Sequence, residues 1–429
     1  MNRGFVILGA ILIQLALGAI YAWSVFTPDL IGAGWSKLDT QIVFSVGLAA
    51  FAVFMVFAGK KLNKWGPKKL AIIGGLVLGL GYILSGFFNP EDFWAINFWP
   101  FNGSIINPFR LHPYVVFIGL IGGAGIGFAY VVPIAVGMRW FPDKKGMITG
   151  LAVAGFGFGA MGWVKLAGSW GHLIENIGLS STFTIYGIAF AIMVIIGGFW
   201  MVFPPEGWKP AGFKEEEKLT TEKKATPVKD VNSNSMLKSI QFYLIFFTFV
   251  FSAGAGLMSI GLMKLYPIEA LKEAGMDTVS ASAIAGTAMA VFFSLANGLG
   301  RIIWGIISDK IGRKTSIIFM TAIQGVIVIL FTYMAGSEYL LYLGATIIGF
   351  NFGGNFALFP TITADIFGAK NVGQNYPFIF LAYGVGGIVG PMIGGALGDM
   401  GNFPLAFTVS GIAVLVGTVL TIMVKPIKS

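Results

Sequence analysis

Long apolar runs, broken by short polar or basic stretches, make up most of this sequence. Twelve of them stand out, at about residues 5–31, 40–59, 70–88, 114–138, 147–168, 183–203, 239–267, 280–307, 315–336, 339–364, 371–398 and 403–424. As helices rising 1.5 Å per residue, runs of about 20 residues cross a hydrocarbon core of about 30 Å. Their 3.6-residue periodicity is weak, as expected of helices with apolar surroundings on every side. The expected fold class is therefore an all-α polytopic membrane protein with twelve transmembrane helices. Two polar stretches interrupt the series. Residues 204–238 are mixed in charge and read as a connector. They divide the chain into 1–203, 204–238 and 239–429, two blocks of six spans around a linker. Residues 89–113 hold Phe93, Trp94, Phe98, Trp99, Phe101 and Phe109. They read as an aromatic belt at the membrane interface, or as a lid over an entrance.

Charge placement adds direction. Of the 28 Lys and Arg, 22 fall at the termini or in the even-to-odd connections, including the seven lysines from Lys209 to Lys238. The odd-to-even side receives five: Lys37, Arg110, Lys165, Lys264 and Lys272. By the positive-inside rule both termini are cytoplasmic, in a cytoplasmic membrane. The same placement removes nucleic acid as a partner, although the net charge is +9. Lys165 near the outer end of the fifth span is expected to snorkel. Cysteine is absent, which excludes disulfides and thiolate chemistry. The two histidines, His112 and His172, are far apart in sequence and make a poor metal pair. No nucleotide loop or nucleophile–base pair stands out, so no catalytic residue, metal or cofactor is expected. The first apolar run is too long for a signal-peptide core and reads as the first helix.

An internal repeat organises the two blocks. Residues 59–69 read GKKLNKWGPKK and residues 305–315 read GIISDKIGRKT. Gly59 matches Gly305, Asn63 matches Asp309, Lys64 matches Lys310 and Gly66 matches Gly312, all at an offset of 246 residues. Glycine allows a helix to end in a tight turn, and Lys310 and Arg313 complement helix C-termini or anionic headgroups.

Against this repeat, Arg301 is an exception. It lies eight residues before Asp309, roughly 12 Å deeper along the helix, near the bilayer midplane. A charge at that depth costs roughly 2.5–3.5 kcal/mol on insertion scales, so it faces protein or a watery cavity. No acid lies within a helical turn on its own span, and the first half has Met55 at the matching position and Phe51 where the second has Asn297. The scaffold does not require a cation there, which favours a ligand role: Arg301 as a fixed cation for an anion. Asn297 is one turn away on the same face. It can donate to that anion or bond across helices.

The paired loops resemble the signature of the major facilitator superfamily, whose two six-helix halves are pseudo-symmetric. Asn63 departs from it, standing where the usual residue is an acid. RWFPDKKG (139–146), NFALFPTITADIFG (355–368), the GQNY segment (373–376), and Asn297 with Arg301 resemble the oxalate/formate antiporter family and its monocarboxylate-porter relatives. The resemblance implies a secondary transporter of small organic anions working by alternating access. Partners are then the anion, the lipid bilayer, and protons or a counter-anion. It points to a pocket of Arg301, Asn297, Tyr21, Gln41, Tyr130, Phe352, Phe356, Phe380, Tyr383 and Asn355. In oxalate exchangers of the family a lysine makes a second cationic contact; the aligned residue here is Tyr383. One central cation suits one carboxylate, as in formate, lactate or pyruvate, better than the two of oxalate. Nitrate, a sugar or a drug is the alternative substrate for a transporter of this superfamily.

Overall fold

A computed structural model describes residues 3–96, 109–141, 145–205, 231–368 and 372–425. Within these, side chains are described except at 63, 94–96, 109–110, 138, 145–152 and 372–374. The side chains of Asn63, Arg110 and Gln374, residues 142–144 of the fourth-helix loop, Lys370, most of the 204–238 linker and the centre of the 89–113 loop thus lie outside the described residues.

Among the described residues twelve long helices follow in order: α1 (Arg3–Gly32), α2 (Lys37–Trp65), α3 (Pro67–Ser85), α4 (115–140), α5 (Lys145–Ala167), α6 (Leu173–Phe199), α7 (Ile240–Leu262), α8 (Thr278–Ile311), α9 (Arg313–Met334), α10 (Glu338–Phe367), α11 (Val372–Asp399) and α12 (Phe403–Met423). Among the described residues, eleven are long and apolar enough to span a membrane, and the described part of α5 adds the apolar helix Val153–Ala167. Capping defines their ends. Ser36 and Asp39 form a capping box that starts α2, and Asp277 accepts from the amides of Val279 and Ser280 to start α8. Gly66 and Gly312 end α2 and α8 with nearly the same backbone, φ 79°, ψ 152° and φ 88°, ψ 151°. The sequence repeat is thus also a structural repeat, in a region that favours glycine.

Three expectations change. The seventh run, expected to reach residue 267, stops at Leu262, and a separate short helix Leu265–Glu273 follows. Pro267 lacks the amide needed to continue the first helix. The sixth helix begins at Leu173, ten residues early, and turns at Gly178 (φ 78°). Finally, the 89–113 connection adds a two-stranded antiparallel ribbon, Trp94–Ile96 against Phe109–Leu111, to an otherwise helical fold. Trp35 anchors this connection. Its Nε1 donates to the Pro90 carbonyl at 2.6 Å, and its ring packs on Phe93, His112 and Tyr114. Burial pushes the His112 imidazole down to about 4. It therefore stays neutral near pH 7, as its bonds require: Nδ1 accepts from the Tyr114 amide and Nε2 donates to the Asn89 carbonyl.

Helices α1–α6 and α7–α12 pack as two bundles, with α3 and α6, and α9 and α12, paired away from the interface. The interface between bundles is made by α2 against α11 and α5 against α8. In the second crossing the helices nearly touch: a Cβ on Gly157 would come within 2.8 Å of the Gly298 amide nitrogen. Such close backbone approach needs a residue without a side chain.

Candidate functional site

Arg301 lies on α8 where it faces both the other bundle and α10, and it is only 1% exposed. A π-helical stretch, Ala288–Phe293, precedes it and shifts the register of the helix below. Gly353 of α10 lets the two backbones close here, since a Cβ at that position would lie 2.1 Å from the Asn297 carbonyl. Arg301 Nε donates to Asn297 Oδ1 at 3.3 Å. That bond engages the Asn297 oxygen and leaves its Nδ2 without a partner among the described residues. The guanidinium carbon is 4.0 Å from the centre of the Phe356 ring and 5.6 Å from that of Phe156. A cation over a ring face at this range gains about 0.5–2 kcal/mol. Arg301 makes no ion pair among the described residues, and both terminal nitrogens lack an acceptor.

An aromatic box surrounds these donors. The first bundle supplies Tyr21, Phe51, Tyr130 and Phe156, with ring centres 5.0–5.9 Å apart along the contacts Tyr21–Phe156, Phe51–Tyr130 and Phe51–Phe156. The second supplies Phe352, Phe356, Phe380 and Tyr383, in contact at 5.0–6.4 Å. The two sets join through Tyr21–Phe352, Phe51–Phe380 and a 3.1 Å hydrogen bond between the Tyr21 and Tyr383 hydroxyls. All eight rings are buried. The Tyr21 and Tyr130 hydroxyls stand near enough to the Arg301 guanidinium to feel its charge and to interact weakly with its N–H groups, but neither forms a well-aligned hydrogen bond with its terminal nitrogens. Excluding water in this way strengthens any charge pairing made inside the box.

Eight of the ten residues expected at the pocket thus come together. Two stand elsewhere. Asn355 faces the interior of the second bundle, where Ser252 Oγ is 2.8 Å from both its Oδ1 and Gln324 Oε1. Gln41 lies ten residues, roughly 15 Å, along α2 from Phe51, and its Nε2 is 3.4 Å from the Gly261 carbonyl of α7. Two residues of the box went unassigned in the sequence. Phe51 stood there only as the counterpart of Asn297. Phe156 is a large side chain between Gly155 and Gly157, and that contrast in size was its signal.

At the end where Gln41 lies, the bundles are fastened together. Asp399 of α11 accepts from the Lys37 and Leu38 amides at 2.6 and 2.9 Å, and so caps α2 from the opposite bundle. Lys37 Nζ reaches Glu269 at 2.6 Å and the Gly398 carbonyl at 3.0 Å. Lys165 is buried as well and does not snorkel; its Nζ donates across the interface to Thr287 Oγ1 at 3.1 Å. At the opposite end Asp309 pairs with Arg313, whose Nε is 4.0 Å from Asp365, tying α8, α9 and α10 within one bundle.

Twelve long helices in two joined bundles, with an arginine that has no acid partner among the described residues buried where they meet, are the architecture of a membrane transporter. A family model for the Major Facilitator Superfamily matches residues 5–293 and 276–429, and the chain belongs to that family. It is 30% identical to the uncharacterized MFS-type transporter YhjX of Escherichia coli, over 90% of this chain and 86% of that protein. It is 27% identical to the oxalate:formate antiporter of Oxalobacter formigenes, over 99% and 92%. To apicoplast pyruvate carrier 1 of Toxoplasma gondii it is 24% identical, over 80% and 66%.

Proposed function

We propose that the protein carries small organic anions across the membrane by alternating access, with Arg301 as the cation that binds the carboxylate. One observation carries this reading: a fully buried guanidinium whose two terminal nitrogens have no well-formed acceptor among the described residues. A carboxylate has two oxygens with the spacing of that fork. The Asn297 amide is a further free donor beside it. One cation suits a monocarboxylate such as formate, lactate or pyruvate, and the named substrates of two relatives are carboxylates too. The units that rock are 1–203 and 239–429, joined by 204–238, with both termini and the linker on the cytoplasmic side of the cytoplasmic membrane. A proton or a counter-anion couples the movement. The test is flux into proteoliposomes with labelled mono- and dicarboxylates, nitrate and a sugar, with and without a pH gradient. Monocarboxylate flux exceeding the others is expected. Preferential uptake of nitrate or sugar would overturn the reading.

Two consequences concern movement. Asp309 is roughly 12 Å along α8 from Arg301 and, among the described residues, bonds within its own bundle's end. Asp309→Asn is therefore expected to slow transport while equilibrium anion affinity stays within a few-fold. A large affinity loss at normal turnover contradicts this. Asp399 and Lys37 hold the other end closed. Charge-assisted bonds of this kind contribute about 1.5–3 kcal/mol, so Asp399→Ala shifts the population toward opening by about tenfold or more. The chain has no cysteine, so Gln41→Cys gives a single reporter at that end. Its maleimide labelling rate in detergent should rise by about tenfold in the Asp399→Ala background. An unchanged rate contradicts the closing role.

A further inference from the structure

We propose that the first bundle binds one anionic phospholipid where α2 turns into α3 beside the end of α6. A groove of about 460 Å³ lies there. Its floor is apolar, formed by Trp65, Ile72, Ile73, Met201 and Val202, while Lys68 and Lys69 stand at its rim and no carboxylate lines it among the described residues. Both lysines are exposed. Lys68 Nζ is 4.4 Å from the centre of the Phe199 ring, and no hydrogen-bond acceptor or acid meets it among the described residues.

The repeat gives an internal comparison. At the offset of 246 residues Lys68 corresponds to Lys314, and the turns before them share one backbone geometry. Lys314 Nζ donates to the carbonyls of Ile422 and Val424 at 2.7 and 2.8 Å, closing onto the end of α12. In the first bundle the same closure is not made. The Val202 carbonyl beyond α6 is instead taken by Trp140 Nε1 at 2.6 Å, and the ammonium of Lys68 is left at the groove. One lysine position therefore serves a helix C-terminus in one half and is free for an anion in the other.

The rest of the surface selects the kind of anion. Leu76 and Leu80 continue from Ile72 at four-residue spacing down one face of α3, 53% and 51% exposed. Ile192, Ile196 and Phe199 are exposed on α6. These faces meet lipid chains, so the groove opens into the hydrocarbon region below and onto cations above. Acyl chains cover the apolar floor while the headgroup phosphate pairs with Lys68 and Lys69. A soluble phosphate would leave the floor bare. Two cations without an acid favour an anionic headgroup over a zwitterionic one.

The experiment is native mass spectrometry of the full-length protein released from vesicles of equal phosphatidylglycerol and phosphatidylcholine. The wild type is expected to retain one phosphatidylglycerol that millimolar inorganic phosphate does not displace. Lys68→Gln with Lys69→Gln should lower its occupancy roughly tenfold or more. Ile73→Trp, which fills the floor and keeps both cations, should lower it as well. Lys314→Gln should keep the lipid and lose thermal stability instead. The proposal is overturned if the double variant keeps wild-type occupancy, if phosphatidylcholine is retained equally, if phosphate displaces the lipid, or if Lys314→Gln loses it to the same degree.

Discussion

Arg301→Ala and Arg301→Gln are expected to abolish anion binding and transport, while Arg301→Lys keeps both weakly. Lysine preserves the charge but not the two parallel N–H groups of the fork. A hydrogen bond to a charged group contributes about 1.5–3 kcal/mol, so losing one weakens binding by roughly 10- to 100-fold. The neutral variants lose the charge too. The sign of the stability change separates this role from a structural one. A buried arginine that neutralised a hidden acid would, on removal, strand that acid and destabilise the fold by about 3–5 kcal/mol. Arg301 has no such partner among the described residues, and its terminal nitrogens are unpaired. The melting temperature of Arg301→Gln in detergent should therefore hold or rise. Stabilisation of the wild type by added formate or lactate should vanish in the variant. Normal anion binding by Arg301→Ala, or a large drop in its melting temperature without ligand, would defeat the binding role.

Tyr383→Lys is the second change with a large expected effect: a shift of preference from mono- to dicarboxylates by about tenfold or more. Tyr383 packs on Phe356 at 5.5 Å, and Phe356 carries the Arg301 guanidinium on its face. A lysine reaches about as far as a tyrosine, so its ammonium takes the place of the hydroxyl. A second cation inside the box then meets a second carboxylate. The opposing terms are another buried charge, roughly 2.5–3.5 kcal/mol, and loss of the Tyr21 bond, about 1 kcal/mol. Tyr383→Phe isolates the latter and should leave the preference unchanged. Competition of unlabelled oxalate against labelled formate reads the outcome. A folded Tyr383→Lys protein with wild-type preference would remove Tyr383 from the pocket.

Much of this was legible in the chain. A span in lipid must satisfy its own backbone, so every crossing announces itself as a continuous apolar run. The repeated glycine turns at Gly66 and Gly312 were readable because only glycine is comfortable in that backbone. Arg301 was readable because a charge at midplane depth is expensive wherever it is placed. The ends of α6 and α7 were less legible: hydropathy is smooth where Gly178 and Pro267 redirect the backbone.

The pocket walls were decided by tertiary structure. The chain has 40 phenylalanines and 12 tyrosines, and helices apolar all round carry no phase to say which of them face inward. Packing of α5 on α8 through Gly157 and Gly298 brings Phe156 to Arg301. Packing of α10 on α8 through Gly353 brings Phe356 there. Gln41 and Asn355 have the same polar character as Asn297, yet α2 carries Gln41 to the far end and Ser252 engages Asn355 within its bundle. The sequence by itself determined the membrane class, the two-part repeat and the singular cation, because each follows from local transfer energies and local backbone geometry. Which side chains surround that cation depends on the rotation of each helix about its axis, and only contacts between distant parts of the chain set that angle.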